Sequence, residues 1–119
     1  MRKKILVVDD EKDIVDFLGK FLEKFSIEVI KATSGNDAIN LYKMHLPQIV
    51  FLDINMPDMD GISVLRQLRS LNPSLKVIMI TAIEDKYFQK KAKKYGAIDY
   101  ITKPIDLSEF ANKIKLYFK

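Results

Sequence analysis

Several apolar runs in this chain end in residues able to do chemistry. Asp9-Asp10 follows Ile5-Leu6-Val7-Val8, and Asp53 follows Ile49-Val50-Phe51-Leu52, with Asn55 two residues further on. Thr81 follows Val77-Ile78-Met79-Ile80, and Lys103-Pro104 closes the segment that begins Tyr100-Ile101. Each has a bland reading: Asp9-Asp10 as a helix cap, Asp53 as a turn residue, Thr81 as an N-cap, Lys103 as a surface lysine. Taken jointly they offer a metal site, a nucleophile, a hydroxyl and a cation. That is the equipment of phosphoryl transfer, which needs positioning and charge stabilisation and little other covalent work from the protein. Three carboxylates brought together repel one another and lose solvation, so the arrangement requires compensation. A hard divalent cation provides it. A few carboxylates, one carbonyl and retained waters suit Mg²⁺, and Mn²⁺ could substitute; Lys103 adds a second positive charge.

The elements that must gather these residues are legible from periodicity. The continuous apolar runs have strand length and the composition of parallel strands covered on both faces. Between them lie helical patterns. Ile14, Leu18, Phe21, Leu22 and Phe25 mark the first helix, followed by a weaker strand around Ile27 to Ile30. Ser34 and Asp37 form a capping-box-like start to a second helix with Ala38, Leu41 and Tyr42 on one face. Gly61 opens a third helix carrying Ile62, Leu65 and Leu68, and Asn72-Pro73 ends it. Phe88, Ala92 and Tyr95 lie on a lysine-rich fourth helix stopped at Gly96. Asp106 and Glu109 are an acidic N-cap pair ahead of Leu107, Phe110, Ile114, Tyr117 and Phe118. Five strand–helix units in strict alternation predict an α/β fold with a doubly wound parallel sheet, spanning 1–119 as one domain. Ligands of such sheets sit beyond the carboxyl ends of the strands, where the chemical residues fall.

Composition narrows the class. At 119 residues, with 48% hydrophobic and 30% charged content, the chain fits a single core that buries about two-thirds of its unfolded surface. It has no cysteine, so neither a disulfide nor a thiolate metal site contributes. The first apolar segment is too short for a signal sequence or a membrane span, which predicts a soluble, cytoplasmic protein with no membrane partner. Lys86, Lys90, Lys91, Lys93 and Lys94 crowd one segment, but no nucleic-acid-binding motif accompanies them. They read as the solvated face of an amphipathic helix, and no direct nucleic-acid binding is expected.

The segments Val7-Val8-Asp9-Asp10-Glu11, Leu52-Asp53-Ile54-Asn55-Met56-Pro57-Asp58-Met59-Asp60-Gly61, Ile80-Thr81-Ala82 and Tyr100-Ile101-Thr102-Lys103-Pro104 resemble the receiver domain of two-component response regulators, in order and spacing along essentially the whole chain. The resemblance implies a flavodoxin-like sheet of order 2-1-3-4-5 with five helices, as in the chemotaxis regulator. It implies that Asp53 is the phosphoacceptor, taking its phosphoryl group from a histidine kinase or a histidine phosphotransfer protein. Asp10 and Asp53 would bind Mg²⁺ directly, Asp9 mainly through a coordinated water, and Asn55 through its backbone carbonyl. Lys103 would pair with Asp53 before phosphorylation and with a phosphoryl oxygen afterwards, while the Thr81 hydroxyl reaches another such oxygen. A cis Lys103-Pro104 bond is a habit of this family. Tyr100 matches the switch aromatic, whose ring fills the space Thr81 vacates and so couples the site to helix four, strand five and helix five. A downstream effector protein or domain, or a phosphorylation-dependent homodimer, would read that face. Asn55 and Ile83 occupy the positions that flank the attacking water and set the phosphate lifetime; the resemblance implies a switch that catalyses its own phosphorylation and dephosphorylation.

Some features depart from the family's usual texture. Val15 and Gly19 stand where outward-facing polar residues are common on helix one, suggesting a shallow apolar strip for a partner helix. Tyr95 replaces a usually small residue, and His45 carries no assigned role. Rival readings are weaker. A haloacid-dehalogenase-type phosphatase needs Asp-x-Asp after its first strand, and a flavin module needs a hydroxyl-rich phosphate loop where this chain has Asp9-Asp10-Glu11-Lys12-Asp13. A pseudo-receiver would lack chemical residues that are all present here.

Overall fold

In the computed structural model, which describes residues 2–82 and 86–118, the expected alternation is realised. Strands β1 (Lys4–Val8), β2 (Glu28–Ala32), β3 (Ile49–Asp53), β4 (Lys76–Ala82) and β5 (Asp99–Lys103) alternate with helices α1 (Lys12–Glu23), α2 (Gly35–His45), α3 (Gly61–Leu71), α4 (Lys86–Lys94) and α5 (Leu107–Tyr117). All pairings are parallel and the sheet order is β2-β1-β3-β4-β5.

Strand residues alternate between faces, and the core divides accordingly. Ile5, Val7, Ile49, Phe51, Ile78, Ile80 and Ile101 face α1 and α5, where they meet Leu18, Leu22, Phe110 and Ile114. Leu6, Val8, Val50, Leu52, Val77 and Met79 face the opposite layer and meet Ala38, Tyr42, Leu65, Leu68 and Ala92. The expected caps hold the helix starts. Ser34 Oγ accepts from the Asp37 N–H at 3.1 Å, and Asp106 accepts from the Ser108 and Glu109 N–H groups at 2.7 and 3.3 Å. Gly96 closes α4 with a positive φ, and the Lys103-Pro104 bond is cis.

Three features differ from the sequence-based expectation. Helix α1 buries a wider stripe than expected: Val15 and Gly19 join the expected Leu18 and Leu22, Ile14 and Phe21 pack against the same core, and Phe25 is exposed. Val15 and Gly19 therefore offer no outward strip. Their i, i+3, i+4, i+7 spacing also satisfies helical periodicity, and packing beside Val29 and Lys31 of β2 selects it. Strand β2 starts one residue later than Ile27, which is itself buried. Leu46 and Ser26 adopt positive φ at turns that carry no glycine or asparagine signal. Tyr95 is accommodated half-buried, with the Arg66 guanidinium 4.6 Å from its ring centre.

Candidate functional site

Strand parity brings the charged residues together. Asp9 continues the series Ile5, Val7; Asp53 continues Ile49, Phe51; Lys103 continues Ile101. All three thus emerge on the α1–α5 side at the carboxyl edge of the sheet. Asp9 is fully buried and Asp53 is 4% exposed, whereas Asp10, one residue on, is exposed. Carboxylate oxygens of Asp9, Asp10 and Asp53 lie within 4.8 Å of one another. The Lys103 ammonium stands 3.1 Å from Asp9 Oδ2 and 3.6 Å from Asp53 Oδ2. It thus pairs with Asp53, as expected, but sits nearer Asp9.

The electrostatics of this group are only partly balanced. Burial, then the neighbouring charge of Asp9, pushes the Asp53 carboxyl up from its ordinary 3.8 to about 6, against the opposing pull of Lys103 and the Asn55 backbone N–H. Burial draws the Lys103 ammonium down, but Asp53, Asp9 and Glu11 outweigh it and hold it above its ordinary value. Asp9 Oδ1 accepts from the Glu11 N–H at 3.0 Å. Its Oδ2 is buried, with the Lys103 ammonium against it at 3.1 Å. Three clustered carboxylates facing the Lys103 ammonium leave negative charge that fits a hard cation with oxygen ligands.

Thr81, next to last in β4, lies on the other parity, continuing Val77 and Met79. It is 1% exposed and donates to the Ala82 carbonyl at a long 3.3 Å. Tyr100, opposite Met79 in the register, shares that parity and is 45% exposed. Two groups of site residues therefore leave the sheet on opposite faces: Asp9, Asp53 and Lys103 toward α1 and α5, Thr81 and Tyr100 toward the α4 layer. Asn55 is exposed in the loop after β3, and Ile83 lies outside the described residues.

Sequence reasoning missed Asp58. Its carboxylate accepts from the Gly35 and Asn36 N–H groups at 3.0 and 3.1 Å, joining the loop after β3 to the start of α2. Two backbone hydrogen bonds hold its carboxyl below the ordinary range. Its partners lie more than twenty residues upstream, so no local pattern announces the contact.

Comparison with known proteins agrees with the fold. The family model of the response regulator receiver domain matches residues 5–115. The chain is 37% identical over 115 residues to the alkaline phosphatase synthesis transcriptional regulatory protein PhoP of Bacillus subtilis (strain 168), covering 97% of this chain and 48% of that protein. It thus spans about half the length of this relative. Among solved structures, CheY in the CheX-CheY-BeF3-Mg complex of Borrelia burgdorferi superposes with a TM-score of 0.91 at 32% identity, over 98% of this chain and 90% of that one. The receiver domain of Ssk1 from Saccharomyces cerevisiae, solved with the histidine phosphotransfer protein Ypd1, gives a TM-score of 0.90 at 26% identity, over 98% and 88%. By its strand order and by the family match along nearly its whole length, this chain belongs to the response regulator receiver domains of two-component signalling.

Proposed function

We propose that Asp53 is the residue on which this receiver accepts its phosphoryl group, that Asp9, Asp10, Asp53 and the Asn55 carbonyl would hold Mg²⁺, and that the whole of 1–119 acts as one receiver domain. The observation that carries this reading is a nearly buried carboxylate with an ammonium at 3.6 Å and two further carboxylates within 4.8 Å. In the transfer step an Asp53 oxygen attacks the phosphorus of a phosphohistidine; the new P–O bond forms as the P–N bond breaks, and the imidazole leaves. Lys103, already between Asp9 and Asp53, offsets charge on the nucleophile and then on the phosphoryl oxygens. When bound, the cation neutralises carboxylate and phosphoryl charge that would otherwise repel. The Thr81 hydroxyl, whose hydrogen bond to the Ala82 carbonyl is long, can turn to donate to a phosphoryl oxygen, and Tyr100 on the same sheet parity carries the change to the surface of α4, β5 and α5.

Histidine kinases or histidine phosphotransfer proteins are the proposed donors, with support from the Ypd1 complex of the Ssk1 receiver. A downstream effector protein or domain, or a second copy of the chain, is the proposed reader. Among the described residues no helix is long and apolar enough to cross a membrane, and a cytoplasmic location is proposed. The test is intact-mass measurement with acetyl phosphate or phosphoramidate. One phosphoryl group is expected, only with a divalent cation and not on Asp53→Asn; undiminished labelling of that variant, or labelling in excess chelator, overturns the reading. Self-dephosphorylation is proposed to depend on Asn55 and Ile83, because an aliphatic side chain beside the water path cannot orient the water. Ile83→Glu is expected to shorten the phosphoprotein lifetime severalfold, as followed by phosphate release.

A further inference from the structure

The loop of 54–60, which follows Asp53 and carries Asn55, is fastened at three points. At its far end the Gly61 N–H donates to the Ile54 carbonyl at 2.7 Å, and a Cβ on Gly61 would lie 2.4 Å from the Asp53 carbonyl oxygen, so only glycine permits this return. In the middle, Met59 packs so closely on the start of α2 that a Cβ on Gly35 would lie 2.9 Å from Met59 Cβ. Next to Met59, Asp58 spends one carboxylate oxygen on the Gly35 N–H and the other on the Asn36 N–H. The remaining first-turn donors of α2 are satisfied by Ser34, whose Oγ takes the Asp37 N–H and whose carbonyl takes the Ala38 N–H. The helix start thus draws two of its four partners from its own cap residue and two from the phosphoacceptor loop.

We propose that Asp58 is a positioning residue for the phosphorylation site: by clamping the loop of 54–60 to α2, it sets in advance the place of the Asn55 carbonyl from which the Mg²⁺ site is completed. This rests on the reading of Asp53 and Asn55 given above. Asp58 is itself exposed, so core packing does not demand a carboxylate there. Its two oxygens match two adjacent N–H groups, and the N-terminal dipole of α2 favours the charge. Removing the carboxylate takes away the polar clamp on the loop while leaving the Met59 packing and the Gly61 end in place, so a metal ligand loses order without the fold being lost.

Ser34→Ala separates this role from mere helix capping, because it removes a cap of the same helix without touching the loop. Calorimetric titration with Mg²⁺, with amide exchange of the metal-free protein, is the measurement. In Asp58→Ala, faster exchange at Gly35, Asn36 and the loop of 54–60 is expected, with Mg²⁺ affinity weakened about tenfold, the scale on which supporting groups around metal ligands act. Labelling by acetyl phosphate should slow at low Mg²⁺ and recover at saturating Mg²⁺, and Asp58→Asn should fall between. Ser34→Ala should lower the melting temperature while binding Mg²⁺ as wild type does. If Asp58→Ala matches Ser34→Ala in both respects, Asp58 only caps a helix and the proposal fails. If the wild-type protein itself neither binds Mg²⁺ nor accepts phosphate on Asp53, it is the underlying reading of the site that fails.

Discussion

Strand β5 carries an aspartate–lysine contact at each end, and the two are built to opposite ends. At its start, Asp99 Oδ2 accepts from Lys113 Nζ at 2.6 Å and Tyr117 Oη at 2.7 Å, and Oδ1 accepts from the Tyr100 N–H at 2.8 Å. Burial works against the Asp99 charge, yet these donors outweigh it and hold the carboxyl below its ordinary 3.8. At its finish, the single ammonium of Lys103 faces two buried carboxylates, with Asp10 close by, and Asp53 is pushed up to about 6. One negative charge with three donors ties β5 to α5. Three carboxylates facing the Lys103 ammonium leave unspent capacity for positive charge. The same two residue types thus serve stability at one end of a strand and recruitment of ligand charge at the other.

The contrast breaks most visibly at Lys103. With the metal chelated, Lys103→Met is expected to cost about 2–4 kcal/mol at neutral pH, since it leaves the buried carboxylates facing one another without compensation. Urea unfolding in chelator measures this, and a loss indistinguishable from zero would mean that other groups already relieve Asp9 and Asp53.

Asp99→Ala is expected to cost about 1–2 kcal/mol whether or not Mg²⁺ is present, because it strands the Lys113 and Tyr117 donors far from the site. The sign with pH follows from the lowered carboxyl. The Asp99 contribution is complete above its ordinary 3.8 and is lost only as pH falls through the still lower folded-state value. Unfolding curves for wild type and variant should therefore separate fully at neutral pH and converge in acid.

Asp53→Asn is expected to act in the opposite direction, stabilising the metal-free protein by about 1–2 kcal/mol at neutral pH once solvent screening is allowed for. With a folded-state value near 6, native Asp53 still holds its proton where the unfolded chain has released it. The penalty is therefore absent below about pH 4, grows with rising pH and is complete above about pH 7. Denaturation of both proteins in chelator across that range is the check, and a destabilised Asp53→Asn at neutral pH would show that the carboxylate has structural partners the contrast ignores.

Much of the molecule was readable from local order. Three apolar runs, two weaker strand segments and their intervening helical periodicities, with the caps at Ser34 and Asp106, depend on interactions within a few residues, so the elements and their sequence followed from the chain alone. Most of the site residues were legible for a related reason: Asp9, Asp10, Asp53, Thr81 and Lys103 stand at or beside the carboxyl ends of strands, and a parallel sheet collects those ends at one edge. In α1 the chain alone marked Leu18 and Leu22, which the structure buries, but left out Val15 and Gly19, which it also buries, and included Phe25, which it exposes.

By itself, then, the sequence determined the alternation of strands and helices, the family, and the set of residues available for phosphoryl chemistry. The tertiary structure alone decided which of the adjacent Asp9 and Asp10 is buried, that Lys103 lies nearer Asp9 than Asp53, and that Asp58 finishes the start of α2. Neighbouring residues of an extended chain point to opposite faces, so one of two identical side chains turns inward only once the sheet has a packed side. Contacts between residues tens of positions apart depend on how loops come to rest against helices, which no local periodicity encodes.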